Sequence, residues 1–147
     1  MIGISADEAR EYAAWLARGR IPGARLCTEV EWERAARGTD GRAYPHGEEL
    51  SPEQANIDAT YGKKVGAYGP DEVCHHEQSS SPFGVCDMAG NVWEHTVPVL
   101  KKSRSTASVL RGGSYYQPDI DAHAANRWDI QGSRAPATVG VRICADR

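Results

Sequence analysis

The chain has 147 residues, of which 40% are hydrophobic and 25% charged, and its formal net charge at pH 7 is −3. That is the composition of an ordinary globular domain, and the length fits one domain. With both signs of charge interspersed there is no basic field to hold a phosphate backbone, and no apolar run is long enough to cross a bilayer, so neither nucleic acid nor membrane is expected as a partner.

The N-terminus, Met1-Ile2-Gly3-Ile4-Ser5, lacks the charged and apolar regions of a secretory signal and passes directly into a helical pattern. Ala9, Tyr12, Ala13, Leu16 and Ala17 recur at helical spacing behind Ser5, which with Glu8 forms a capping box; this helix stops near Gly19, and Arg20-Ile21-Pro22-Gly23 reads as a turn. A second helix runs from Thr28 to Arg37, with Thr28 and Glu31 as its capping box and Trp32, Ala35 and Ala36 on one face. Trp15, Trp32 and Trp93 are expected as core anchors.

Beyond Gly38 the chain is dense in Gly, Pro, Asp and Asn, and only short strand candidates remain: 64–68, 92–97, 108–111 and 140–144. Two helices followed by a loop-rich half with short strands give an α+β class, and loops of that length in a compact domain are held by an ion or mark a site. The four cysteines (Cys27, Cys74, Cys86 and Cys144) are widely spaced with no CxxC, which fits buried free thiols and a cytoplasmic location. Cys74-His75-His76 with Cys86 matches no standard zinc spacing and reads as exposed loop histidines.

Sequence blocks then accumulate in a telling order: ARLCTEVEWERAARG (24–38), YPHG (44–47), Ala55-Asn56, SPFGVCDMAGNVWEH (81–95), VLRGGS (109–114) and Gly140-Val141-Arg142. In that order they resemble the motifs of formylglycine-generating-enzyme, or sulfatase-modifying-factor, domains, with Cys27 where the family usually has Pro. The resemblance implies a loop-rich fold related to C-type lectins and low in regular secondary structure. It also implies that residues 1–147 are the C-terminal portion of a single such domain whose N-terminal portion is absent.

The family's founding activity oxidises a sulfatase cysteine with copper and oxygen, using two thiolates. Counted back from Gly140-Val141-Arg142, those positions fall on Asp119 and Ala124, so neither copper nor formylglycine synthesis is expected. A second enzymatic branch binds iron largely through a separate helical domain with no counterpart here. The resemblance implies structural calcium at the carboxylates of Asp87 and Glu94 with the carbonyls of Gly90 and Val92; oxygen donors on a Gly-containing turn suit that hard cation. The alternative is that Asp87 caps a turn and Glu94 pairs with an arginine. A second calcium site would begin at Asn56 and the Ile57 carbonyl, but the acidic loop completing it is shortened to residues 58–62. Arg111 and Arg142 lie beside glycines, where a guanidinium fork bonds loop carbonyls or a carboxylate, and are read as structural.

Between 114 and 137, Tyr115, Tyr116, Asp119, His123, Asn126, Arg127 and Trp128 mix aromatic and polar groups without core periodicity, as a ligand-binding surface or a solvated loop with packed aromatics would. The expectation is a non-catalytic binding or regulatory module for a protein or small-molecule ligand. The AANRW and ATVGVRIC runs resemble family domains fused behind serine/threonine kinases, so a fused or separate kinase is an expected partner. The alternatives are an enzyme of altered chemistry using Tyr115, Asp119 and His123 as acid–base groups, and a lectin-like variable ligand-display protein.

Overall fold

The first turn of a helix leaves amide N–H groups unpaired, and both helices satisfy them with a reciprocal side-chain pair. In the computed structural model, which describes residues 1–64, 66–99, 108–130 and 135–146, α1 spans Ala6–Gly19 and α2 Glu29–Arg37. Ser5 N–H donates to Glu8 Oε2 (2.7 Å) and Glu8 N–H to Ser5 Oγ (3.3 Å); Thr28 and Glu31 repeat the exchange at 2.8 and 3.2 Å. No helix among the described residues is long and apolar enough to cross a membrane.

Helix α1 buries Ala6, Ala9, Ala13 and Leu16 against β1 (Ala24–Leu26). Trp15, expected in the core, is instead 52% exposed and stacks on Tyr12 with ring centroids 5.8 Å apart. At 3.6 residues per turn it stands about 200° around the axis from Ala13, on the solvent side. Trp32 and Trp93 are core anchors as expected, at 0% and 2% exposure.

The remaining strands are β2 (Trp93–Thr96), β3 (Ser108–Arg111), β4 (Trp128–Ile130), β5 (Val139–Val141) and β6 (Ile143–Ala145). One sheet has the order β4-β3-β2-β5, with β2 antiparallel to β3 and parallel to β5; the other pairs β1 with β6. The candidate strand 140–144 is therefore two strands in two sheets, broken at Arg142, whose side chain leaves both ladders. Candidate strand 64–68 does not form among its described residues, and Val65 lies outside them.

The expectation of free thiols is overturned. Cys27 bonds Cys144 with Cα atoms 5.0 Å apart, and Cys74 bonds Cys86 at 5.2 Å. The reason is topological: β1 runs antiparallel to β6 with Arg25 opposite Cys144, so two residues 117 apart in sequence become neighbours. The cytoplasmic expectation drew on reduced cysteines together with the missing secretory-signal pattern, and the first of these grounds is removed, since disulfides persist in oxidising compartments. Cys27 sits in a core cluster with Trp32, Ala36, Met88 and Ala124, while Trp93, Leu110, Ile130 and Val139 form another under the larger sheet.

The loops are held by asparagine side chains and close backbone crossings. Gly90 (φ +74°) runs so near residue 56 that an added Cβ would lie 2.4 Å from the Asn56 carbonyl oxygen, which is why glycine is required there. Asn91 N–H donates to that carbonyl (2.7 Å), the Asn91 carbonyl accepts from Tyr115 N–H (2.9 Å), and Asn91 Oδ1 accepts from Asp71 N–H (2.9 Å). One buried residue thus ties the 56, 71 and 115 loops to the start of β2.

Candidate functional site

Strand β2 brings Glu94 into the interior at 5% exposure, directly opposite Arg111 and Gly140. Its carboxylate is fully engaged: Arg142 donates from Nη2 to Oε1 (2.7 Å) and from Nε to Oε2 (2.7 Å), and Trp32 Nε1 donates to Oε2 (2.6 Å). Arg142 Nη2 also donates to the Cys86 carbonyl (2.9 Å) and reaches the Asp87 carbonyl at 3.5 Å. Burial would lower the Arg142 pKa, but the charge and hydrogen bonds of Glu94 outweigh it and hold the guanidinium above its ordinary value.

These contacts bear on the calcium ligand set. Asp87, at φ 56°, turns its carboxylate to the Cys74 N–H (2.7 Å), while Glu94 is bound by the arginine. The Gly90 and Asn91 amides are spent on neighbouring loop carbonyls. As folded, Asp87 and Glu94 have different partners, and a guanidinium supplies the positive charge facing Glu94. At the second site, the Ile57 carbonyl accepts from Thr60 N–H (3.1 Å), Asn56 Nδ2 donates to the Gly69 carbonyl (2.9 Å), and Asp58 pairs with Lys63 (2.7 Å). Asp58 is there a turn residue with a lysine partner.

Arg111 is 2% exposed and lies over the Trp32 ring with its guanidinium carbon 5.3 Å from the centroid. It donates to Glu33 (2.7 Å) and to the Ala124 carbonyl (2.9 Å). Both guanidinium groups bond a carboxylate and loop carbonyls, the contacts read from the sequence.

The residues from 115 to 128 do not form one free surface. Tyr116 (64% exposed) tilts against Tyr68, centroids 5.5 Å apart, and Tyr115 lines a shallow depression with Tyr61, Tyr68, Asn56 and Lys64. Trp128 (44% exposed) packs edge-on against Trp93, whose Nε1 donates to Gln117 Oε1 (2.8 Å). Arg127 is drawn to Glu29 (2.8 Å), and Asn126 Nδ2 donates to the Asp121 carbonyl (3.1 Å). His123 packs on Tyr44 at 5.6 Å; the Tyr44 pKa is raised, first by burial and then by the charge of Asp119. Asp119 is exposed at the start of a 3₁₀ turn (Asp119–Ala122), and Ala124 is fully buried.

Asp71 converges with His75 and His76, read from the sequence as exposed loop histidines; His75 is exposed, but the His76 side chain is only 10% exposed. The Cys74–Cys86 bridge that folds this loop back was not foreseen, because neither its spacing nor its composition announces a pair.

The family model described as sulfatase-modifying factor enzyme 1-like domain matches residues 1–147. The chain belongs to this family. It is similar to the bovine (Bos taurus) "Inactive C-alpha-formylglycine-generating enzyme 2", 33% identical over 129 residues, covering 78% of this chain and 38% of that protein. It is also similar to the serine/threonine-protein kinase pkn1 of Chlamydia pneumoniae (37% identical; 99% of this chain, 23% of the kinase) and to hercynine oxygenase of Mycobacterium tuberculosis (34% identical; 97% and 36%). The sulfatase-modifying-factor-like chain thus spans well under half the length of these relatives. Among solved structures, PvdO from Pseudomonas aeruginosa superposes with a TM-score of 0.80 (24% identical; 97% of this chain, 60% of that one). Treponema denticola variable protein 1 superposes at 0.65 (24% identical; 82% and 46%). These likenesses establish the loop-rich α+β fold that the motifs implied.

Proposed function

We propose that this sulfatase-modifying-factor-like domain is a non-catalytic recognition module. The observation that carries the reading is the state of its sulfur: all four cysteines are joined in two disulfides, and the positions aligned with the family's thiolates are an exposed aspartate, Asp119, and a buried alanine, Ala124. Copper(I) needs soft, ionised sulfur ligands, and a disulfide sulfur has no such charge to offer. Arg142 is the cation that neutralises Glu94 and joins β5, β6 and the 86–87 turn.

The recognition groups are the exposed Tyr116 tilted on Tyr68, with Tyr115 in the adjoining depression, and separately the exposed Trp128 and the Asp119 and His123 side chains near Tyr44. Such rings offer large contact area at low conformational cost, to a protein or a small-molecule ligand. A chain matched almost throughout to part of the pkn1 kinases fits a ligand-recognising region that works with a kinase, fused or separate. The test is to incubate the oxidised chain with copper, oxygen and a cysteine-containing sulfatase peptide and to follow the peptide by mass spectrometry. No conversion of cysteine to formylglycine is expected, and turnover would overturn the reading.

The likeness to hercynine oxygenase favours one second reading, an enzyme of altered chemistry with Tyr115, Asp119 and His123 as acid–base groups. It requires oxygen consumption by the chain that is lost in His123→Ala. The non-catalytic reading requires none.

A further inference from the structure

We propose that Asp71, His75 and His76 form a binding site for a first-row divalent transition metal ion, zinc being the representative. One donor atom from each lies within 4.8 Å of the other two. The donor set is two imidazoles and one carboxylate, the ligand chemistry of zinc, nickel, cobalt and copper(II) rather than of calcium or magnesium.

The geometry around His76 asks for a cation. Its Nδ1 lies 3.0 Å from the Glu53 carbonyl oxygen. A carbonyl can only accept, so Nδ1 carries the proton and donates, and Nε2 is left facing Asp71 Oδ2 at 2.9 Å. In the neutral ring that nitrogen presents a lone pair, and a lone pair and a carboxylate that close are reconciled by a cation held between them. A proton is one candidate and a metal ion is the other. A metal-bound imidazole whose second nitrogen donates to a backbone carbonyl is the usual orienting arrangement at such centres. Ligand atoms about 2.0–2.1 Å from one ion stand about 2.9–3.4 Å apart, so the His76–Asp71 pair is already at chelating separation. His75 has the remaining distance to close, and its exposed side chain is free to turn; its ring centroid is 5.0 Å from that of His76.

The surroundings are built to hold these groups in place. Tyr61 donates to Asp71 Oδ2 (2.7 Å), and the Asp71 amide is fixed by Asn91 (2.9 Å). The Cys74–Cys86 bridge and the Cys74 N–H bond to Asp87 pin the chain at positive φ between Asp71 and His75, and the His75 amide closes a turn onto the Glu72 carbonyl (3.0 Å). Glu53, Glu72 and Glu77 line the same depression, of about 540 Å³, with no lysine or arginine among its lining residues. Negative field and open space together favour a cation that keeps a solvent-facing coordination position.

The test is a zinc titration of the intact, oxidised chain at pH 7.5 against a chromophoric chelator, repeated with cobalt, whose visible absorption reports ligand geometry. His75→Ala is the principal variant because that side chain is exposed and meets the His76 ring edge-on, and an unchanged unfolding temperature in chelator verifies its fold; Asp71→Asn and His76→Gln follow. One equivalent of zinc bound with Kd below about 10 μM, weakened at least about tenfold in each variant and not displaced by millimolar calcium, is the expected result. Zinc uptake identical in wild type and His75→Ala, displacement by calcium, or no uptake at 100-fold excess over that Kd would each overturn the proposal and leave the pair as an Asp71–His76 ion pair.

Discussion

Removing the Cys27–Cys144 cross-link should cost this domain more than any other single change. The bridge joins residues 117 apart, so it closes nearly the whole chain into a loop in the unfolded state. The chain-entropy relation assigns about 5 kcal/mol to a loop of that size and about 3 kcal/mol to the 12-residue separation of Cys74 and Cys86; native strain and residual unfolded structure usually reduce such figures to about 2–4 kcal/mol. With an unfolding entropy of about 2 cal/mol/K per residue over 147 residues, a loss of about 2–4 kcal/mol lowers Tm by about 7–13 °C. The assay is thermal unfolding followed by near-ultraviolet circular dichroism, in a Cys74→Ala/Cys86→Ala background, with and without reductant. Reduction there opens only the long bridge and deletes no atoms from the core around Trp32 and Met88. A reduced protein that unfolds within about 3 °C of the oxidised one, or a larger loss on opening the short bridge alone, would refute the reasoning from loop length.

Glu94→Gln leaves the buried Arg142 guanidinium without its counter-charge and weakens the acceptor for Trp32 Nε1. A loss of about 3 kcal/mol in urea denaturation is expected, and a loss under about 1 kcal/mol would contradict the Arg142-centred account. Because Arg142 already meets that charge, calcium or chelator should shift the Tm by less than about 1 °C; a rise of several degrees with calcium would restore Asp87, Gly90, Val92 and Glu94 as its ligands. His95 is fully buried on β2, with Nε2 3.0 Å from the Ile4 carbonyl, and burial lowers its pKa. The unfolded chain therefore binds this proton more readily than the folded one, so the contribution of His95 is complete above its ordinary pKa and is lost as pH falls below it. Stability should decline between about pH 7 and 5, and less steeply in His95→Gln. Glu31, held down to about 2 first by its hydrogen bonds to Arg25 and then by the Thr28 amide, adds a second loss at lower pH, as pH falls from the ordinary glutamate range toward about 2.

What the sequence determined by itself was local or carried by motif. Both helices and their capping boxes were legible because Ser5/Glu8 and Thr28/Glu31 act within one turn, and the ordered blocks from 24 to 142 identified the family and hence the loop-rich fold. The burial of Trp32 and Trp93 followed from their places inside those blocks. Tertiary structure alone decided what depends on residues distant in the chain. Cys27 meets Cys144 only because β1 pairs with β6, and Arg142 reaches Glu94 only because the chain breaks between two sheets at that residue. The same break brings Arg142 to Glu94, a pairing that no local pattern states. Asp71 and His76 converge for a similar reason: a bridge to Cys86 and an asparagine at the start of β2 set their loop, and neither is written in the residues from 71 to 76. Spacing along the chain encodes contacts within a turn or a strand, whereas contacts across sheets and loops are set by the packing of the whole domain.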